Sequence, residues 1–217
     1  MALEKKERQM NQNNKLDNVW KNSNILKSLK EINGYYDLRH MIHHLSGKVL
    51  EAGCGTGYLV KYLSDNGFDC YGLDNSHEAV RIAKSYNNPD KIILGDLNRI
   101  PFKNNFFDSA LSLGVIEHSH NPKQMLAELC RVLKDHGILY ITVPKKWHWY
   151  FFQRLYIKLK GDWKIGYEKL YSKSELLKIL RYSGFKPKAY ISKSQLSTYM
   201  FGFVCEKMPK KPSQKSI

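Results

Sequence analysis

The segment Lys48–Leu59 reads KVLEAGCGTGYL, and it decides the fold of this chain. A short apolar run ends at Glu51, and glycines then occupy positions 53, 55 and 57. Alternating glycines allow a tight turn and let another group approach the main chain closely. A strand that passes through glycines into a helix is typical of open parallel sheets, which bind ligands at the carboxyl ends of their strands.

Downstream of this segment, strand-like and helix-like patterns alternate along the chain. The predicted strands are 48–52, 69–73, 91–94, 109–113, 137–143, 186–191 and 198–206. The predicted helices are 58–66, 76–86, 122–133 and 172–183. This alternation predicts an α/β fold with a Rossmann-like, doubly wound, mostly parallel sheet of seven strands and helices on both faces. An antiparallel arrangement is open for the last strand.

The domain organisation follows from breaks in these patterns. Residues 1–46 are expected to form an N-terminal helical cap with a disordered start, and 47–206 the main domain. Within that domain, 145–170 is an aromatic and basic insertion that we expect to form a lid. Residues 207–217 are interpreted as a basic, solvated tail.

Composition narrows the function classes. The chain has 217 residues and a formal net charge of +15, which favours anionic partners, although its lysines are widely spread. No apolar run is long enough to cross a bilayer, and the polar N-terminus does not resemble a secretory signal, so we expect a cytoplasmic protein. The four cysteines are far apart and are expected to be free thiols rather than metal ligands.

Asp74 ends the second predicted strand, about twenty residues after the glycines. A carboxylate there can accept hydrogen bonds from both hydroxyls of an adenosine ribose, or it can cap the next helix beside Asn75 and Ser76. The dinucleotide fingerprint requires a glycine where Tyr58 stands, and the chain leaves little room for a second nucleotide-binding half. S-adenosylmethionine is the other adenosine cofactor that suits this architecture.

Six blocks of the sequence, taken in order, resemble a known family. They are VLEAGCGTG (49–57), YGLDNS (71–76), GDLNRIPF (95–102), FDSALSLGVIEH (107–118), LKDHGILYITVP (133–144) and YSKSELLKILRYSGF (171–185). In these blocks the chain resembles the class I S-adenosylmethionine-dependent methyltransferases, closest in style to the small-molecule enzymes of ubiquinone and menaquinone biosynthesis. The resemblance covers about 49–144 and 171–185.

The resemblance implies a role for individual residues. Glu51 would hold the ammonium of the cofactor, and Asp74 would bind the hydroxyls of its ribose; Asn75, next to Asp74, is a further implied cofactor contact. Asp96 would accept a hydrogen bond from the adenine amine, with the Leu97 main-chain N–H near the ring. The remaining implied cofactor contacts are Gly53, Gly55, Gly57 and Leu113. Asp96 could instead simply form a turn after Gly95.

Glu117 and His118 follow the fourth predicted strand and are the candidate catalytic residues. Imidazole titrates near neutral pH, so His118 is a candidate general base for an oxygen acceptor, although it could equally well only hydrogen-bond its loop. His118 and His120 have a His-x-His spacing, but two ligands make a poor metal site, so we expect no metal.

Residues 145–169 interleave aromatic side chains with Lys and Arg. We interpret them first as a lid over a small-molecule substrate, and second as a lid that also contacts anionic membrane at its surface. A nucleic-acid surface ranks third. The expected reaction is methyl transfer to an oxygen of a phenolic, quinone-like or lipid-linked small molecule. The alternatives are methylation of RNA or protein, or a non-catalytic cofactor-binding module. The oligomeric state is left open.

Overall fold

The computed structural model describes residues 38–146, 159, 167–191 and 200–209. Most of the expected N-terminal cap, most of the 145–170 insertion and the tail beyond 209 therefore lie outside the described residues. Within the described part of the chain, no helix combines the length and apolar character needed to cross a membrane.

The predicted seven-stranded α/β sheet is confirmed in the described residues, with the order β3-β2-β1-β4-β5-β7-β6. Its strands are β1 Lys48–Ala52, β2 Asp69–Asp74, β3 Ile92–Leu94, β4 Phe107–Leu113, β5 Leu133–Pro144, β6 Phe185–Ile191 and β7 Met200–Lys207. The first five strands pair in parallel, and β7 runs antiparallel to both β5 and β6. The antiparallel arrangement that the sequence left open for the last strand is therefore present.

The fifth strand differs most from its prediction, which placed its start at Gly137. The structure begins β5 at Leu133, which pairs with Phe107 of β4, and continuous pairing resumes at Ile138 opposite Ser109. His136 lies between these two stretches with a left-handed φ of 63°. A turn-like irregularity therefore interrupts the early part of the strand, and a sequence pattern registers only the regular part that follows it.

The helices alternate with the strands as expected. Their bounds are α1 Leu38–Ile42, α2 Tyr58–Asp65, α3 His77–Lys84, α4 Pro122–Val132 and α5 Lys173–Tyr182. Ser76 caps α3 by accepting from the Ala79 N–H at 3.1 Å. The predicted capping box of α5 is present, because Ser172 and Glu175 each accept the other's main-chain N–H. Short 3₁₀ turns at Pro89–Lys91 and Ile116–His118 precede β3 and follow β4.

Two apolar clusters cover the two faces of the sheet. One face is packed by α1, α2 and α3, which contribute buried residues such as Met41, Leu63 and Ala83. The other face is packed by α4 and α5, through residues such as Leu129 and Leu180. Burial on both faces explains why the central strands read as continuous apolar runs rather than alternating patterns.

The last strand lies inside the sheet and is fixed at its end by a buried lysine. Lys207 is 3% exposed, and its Nζ donates to the Leu133 carbonyl and to Asn105 Oδ1, both at 2.7 Å. Asp135 lies 3.2 Å from the same nitrogen and balances its charge. Lys207 thus ends β7, one residue beyond the predicted end of this strand at 206.

Candidate cofactor and acceptor site

The glycine loop connects β1 to α2 and curls against the tip of β2. The Gly53 and Cys54 N–H groups both donate to the Leu73 carbonyl, at 2.7 and 3.1 Å. Gly53, Gly55 and Gly57 all have positive φ, at 80°, 50° and 71°, a conformation that favours glycine. The alternating glycines are therefore required by the backbone path of the loop.

Two of these glycines also make room for neighbouring side chains. A Cβ on Gly53 would lie 2.6 Å from Val115 Cγ2, and one on Gly57 would lie 2.7 Å from the Ala83 Cβ. The loop consequently packs closely against both the residue after β4 and the helix α3. These contacts serve the fold and add to the ligand role that the sequence suggested for the glycines.

Two side chains that the sequence analysis did not single out hold the loop from the end of α3. The Tyr86 hydroxyl donates to the Thr56 carbonyl. The Asn87 side-chain amide donates to the Gly57 carbonyl at 3.1 Å and to the Ala83 carbonyl at 3.0 Å. Tyrosine and asparagine after a helix carry no distinctive sequence signal, so only the structure could reveal this bracing.

Asp74 lies at the end of β2 and binds the glycine loop. Its Oδ2 accepts from the Gly55 N–H at 2.8 Å, and its Oδ1 accepts from the Ser76 N–H at 2.9 Å. Because Ser76 is the residue that caps α3, Asp74 is not the helix cap that the sequence left open.

Glu51 is the most unusual acid of the site. It is 7% exposed, and its Oε2 has no hydrogen-bond donor among the described residues. Burial, followed by the charge of Asp74, raises the pKa of the Glu51 carboxyl well above its usual range. The same two causes, followed by the charge of Glu51, raise the pKa of the buried Cys54 thiol, which favours its role as a packing residue.

The loop after β3 lies beside these residues. The Gly95 N–H donates to the Asp74 carbonyl at 2.9 Å, which brings Asp96 next to the end of β2. Asp96 is exposed, and its Oδ1 accepts from both the main-chain and side-chain N–H groups of Asn98, at 2.8 and 2.9 Å. The predicted turn role of Asp96 is thus present, and its second oxygen can still serve a ligand.

The other predicted contacts lie at the same edge of the sheet. Asn75, Leu97 and Leu113 are each half-buried, directly after β2, after β3 and at the end of β4. Positions at the carboxyl ends of neighbouring parallel strands come together in space. Their roles toward a cofactor remain predictions.

The turn after β4 holds the two candidate catalytic residues. Glu117 is 1% exposed, whereas His118 is half-buried. The contact between Val115 and Gly53 places this turn directly beside the glycine loop.

His118 Nδ1 lies 2.9 Å from the Tyr167 carbonyl oxygen, and the Lys169 N–H donates to the Glu117 carbonyl at 2.8 Å. The structure thus brings residues near 167–169 against the candidate base.

The residues at the carboxyl ends of β1, β2 and β3 suit a ligand that is a positively charged nucleoside. The unpartnered, buried oxygen of Glu51 needs a donor, and no lysine or arginine pairs with it in the described part of the chain. An ammonium group would supply both charge and hydrogen bonds. Asp74 ends β2 and Asp96 follows the adjacent strand β3. Their contacts with the ribose hydroxyls and the adenine amine stay predictions.

The chain is similar in sequence to known methyltransferases. A family model described as a methyltransferase domain matches residues 50–141. The chain is 28% identical to a malonyl-(acyl-carrier protein) O-methyltransferase of Buchnera aphidicola, over 54% of this chain and 47% of that protein. It is 34% identical to a tRNA (carboxymethyluridine(34)-5-O)-methyltransferase of Arabidopsis thaliana, over 44% of this chain and 23% of that protein. The chain thus spans less than half the length of either relative.

The fold gives an independent comparison. A crystal structure of an S-adenosylmethionine-dependent methyltransferase from Aquifex aeolicus superimposes with a TM-score of 0.64, covering 81% of this chain and 92% of that one. The two chains are 23% identical, so this likeness concerns the fold alone. Together with the matched methyltransferase domain, this fold identifies the family: the chain belongs to the class I S-adenosylmethionine-dependent methyltransferases, and S-adenosylmethionine is its cofactor.

Proposed function

We propose that this protein transfers a methyl group from S-adenosylmethionine to an oxygen atom of a small-molecule acceptor. The observation that carries the proposal is the buried Glu51 carboxyl, whose Oε2 lacks a donor beside Asp74 and the glycine loop. When bound, the cofactor supplies a methyl group on a positively charged sulfur. The names of the two relatives described above specify oxygen as the methylated atom, which supports an oxygen acceptor.

The chain's own residues would bind the cofactor, orient the acceptor and remove a proton from its hydroxyl. Glu51, Asp74 and Asp96 would fix the two ends of the cofactor, and the loop glycines would allow its close approach. His118 would accept the proton of an acceptor hydroxyl, a contribution typically of about 10²–10⁴ in rate. Holding the acceptor oxygen in line with the methyl group would supply much of the remaining acceleration, because orientation alone can contribute roughly 7–11 kcal/mol.

For the acceptor we propose a phenolic, quinone-like or lipid-linked molecule, on the resemblance to small-molecule enzymes and on the aromatic insertion at 145–169. Methylation of RNA is the second candidate, favoured by the tRNA-modifying relative and by the net charge of +15. Contact of the insertion with anionic membrane would suit a lipid-linked acceptor.

The test begins with binding. S-adenosylmethionine and its demethylated product should raise the melting temperature, whereas NADH should not; the reverse pattern would overturn the proposal. Tritium-labelled methyl groups should then appear in the small-molecule fraction of a cell extract rather than in RNA or protein. Label in RNA would show that RNA, not a small molecule, is the acceptor. Binding of S-adenosylmethionine without any labelling would indicate a non-catalytic module. Sedimentation with anionic but not neutral vesicles tests the membrane contact.

A further inference from the structure

The hydrogen bond between His118 and the Tyr167 main chain determines which ring nitrogen can act as a base. Nδ1 lies 2.9 Å from the Tyr167 oxygen. A carbonyl oxygen only accepts, so Nδ1 must carry the hydrogen. A neutral imidazole carries only one N–H group. Nε2 therefore has no hydrogen, and its lone pair can accept a proton. Among the described residues, Nδ1 is the only ring nitrogen of His118 with a hydrogen bond.

We propose that the Tyr167 carbonyl is a positioning group that holds His118 in the Nδ1–H tautomer, so that Nε2 receives the proton of the acceptor hydroxyl. This inference rests on the proposed function, because it assigns a partner to the base of that reaction. In the proton transfer, the O–H bond of the acceptor breaks and its electron pair stays on oxygen, while the proton bonds to Nε2. The resulting imidazolium keeps its Nδ1–H on the Tyr167 carbonyl, where the added charge strengthens the hydrogen bond.

The carbonyl is held in place by a short segment that we call the strap, residues 167–171. On one side, the Lys169 N–H donates to the Glu117 carbonyl at 2.8 Å, next to His118 itself. On the other side, the Lys146 N–H donates to the Tyr171 carbonyl at 3.0 Å, and Lys145 forms a parallel bridge with Tyr171. The strap is thus tied to the turn after β4 and to the end of β5.

The strap is also anchored in the core. Tyr171 is fully buried in the apolar cluster beneath α4 and α5. Its pKa is raised by burial first, then by the nearby Tyr167 and Glu117. Tyr171 therefore fixes one end of the strap in the core, which limits how far the Tyr167 carbonyl can move.

The Tyr167 ring gives a means of testing the carbonyl, which cannot be replaced by mutation. The ring lies 4.2 Å from the His120 ring, centroid to centroid, with an angle of 31° between the planes. This contact orients the residue whose carbonyl meets His118. Tyr167 is 39% exposed overall. Removing the ring should therefore loosen the carbonyl while leaving the buried anchor at Tyr171 in place.

The direct experiment reads the tautomer without requiring turnover. The full chain, labelled with ¹⁵N-histidine, is recorded by two-dimensional NMR at alkaline pH, where imidazoles are neutral. The signal of His118 is identified by its loss in His118→Gln among the eight histidines of the chain. We expect the pattern of an Nδ1–H ring. An Nε2–H ring, which is the commoner form of free histidine, would overturn the proposal.

A second experiment tests the consequence for catalysis. Tyr167→Ala should lower kcat by at least about tenfold, because part of the His118 population would then carry the wrong tautomer. KM and cofactor affinity should stay close to wild type, and Tyr167→Phe should restore most of kcat. The matched control is Tyr182→Ala, at a tyrosine that is 77% exposed on α5. Unchanged kcat and tautomer in Tyr167→Ala would overturn the proposal.

The two proposals fail in distinguishable ways. If methyl transfer depends on His118 but the ring is Nε2–H, the positioning role is wrong and the proposed function stands. If the ring is Nδ1–H but His118→Gln retains full turnover, His118 is not the base, and the positioning role falls with it. If no acceptor is methylated while S-adenosylmethionine binds, the proposed function is wrong, and the NMR pattern still decides the tautomer.

Discussion

The Gly55 main-chain N–H donates a 2.8 Å hydrogen bond to Oδ2 of Asp74, nineteen residues further along the chain. The other oxygen of the same carboxylate accepts from the N–H of Ser76, the cap of α3. Asp74 therefore joins the glycine loop to the next helix, in addition to its proposed contact with the ribose. Loss of this side chain should affect both the ligand and the shape of its site.

Asp74→Ala should weaken S-adenosylmethionine binding by about 10- to 100-fold, since hydrogen bonds to a charged group contribute roughly 1.5–3 kcal/mol each. Isothermal titration calorimetry measures the affinity. The matched control is Asp90→Ala, at an exposed aspartate in the turn before β3, which should bind the cofactor normally. Equal affinities for the two variants would remove Asp74 from the site.

Cofactor binding should strengthen as pH rises, and it should release a proton. Burial and the charge of Asp74 raise the pKa of Glu51, so the free protein favours the protonated acid, whereas a bound ammonium favours the ionised form. Calorimetry in two buffers with different ionisation enthalpies measures the released proton. Glu51→Gln should bind more weakly and lose the pH dependence. A wild-type affinity that is flat with pH, with no proton released, would contradict the proposed role.

Glu51 should also affect the pH dependence of stability. Its raised pKa favours folding while the acid is protonated, and this contribution is lost as pH rises from the ordinary value of 4.5 through the pKa in the folded state. Glu51→Gln should therefore gain stability relative to wild type as pH increases. Urea denaturation at a series of pH values measures the difference, and a constant difference would show that Glu51 is not strained by burial.

Gly53→Ala should destabilise the fold by about 2–5 kcal/mol, through left-handed backbone strain of about 1–2 kcal/mol and overpacking of about 1–3 kcal/mol. The strain follows from its φ of 80°, and the overpacking from the 2.6 Å approach to Val115. Gly67→Ala is the control, because it has a φ of 87° but no atom within 4 Å of the new Cβ. Denaturant unfolding should show a larger loss at Gly53, and Val115→Ala should recover part of it.

His118→Gln should reduce turnover by about 10²–10⁴ while leaving cofactor affinity nearly intact, because a general base acts on the acceptor rather than on the cofactor. Single-turnover methyl transfer to the identified acceptor measures the effect. His43→Gln, at an exposed histidine just after α1, serves as the control. Normal turnover in His118→Gln would show that the side chain only holds the strap.

Local patterns were sufficient to predict most of the fold. The glycines after Glu51, the serine caps at 76 and 172, and the apolar runs of the strands each reflect interactions between residues close together in sequence. These requirements hold whatever the rest of the chain does. The start of β5 could not be predicted, because it depends on the pairing of Leu133 with Phe107 across an irregular stretch.

The candidate site was predictable in its residue types but not in its contacts. Acids at strand ends suggested the ligand, and these acids do lie at one edge of the sheet. The close packing of Val115 on Gly53 depends on how two distant loops meet in three dimensions. The bond from His118 to the Tyr167 carbonyl spans 49 residues and uses a main-chain group that every residue possesses. The type of residue at position 167 therefore cannot predict this contact.

The position of β7 between β5 and β6 has a consequence for how the chain folds during synthesis. In the described part of the chain, β6 pairs only with β7, although β6 precedes it in sequence. Residues 185–191 must therefore wait, unpaired, until residues 200–207 have left the ribosome and Lys207 can reach the Leu133 carbonyl. The nascent sheet exposes the open edge of β5 throughout that interval, and an unpaired edge of this kind favours aggregation of an interrupted polypeptide.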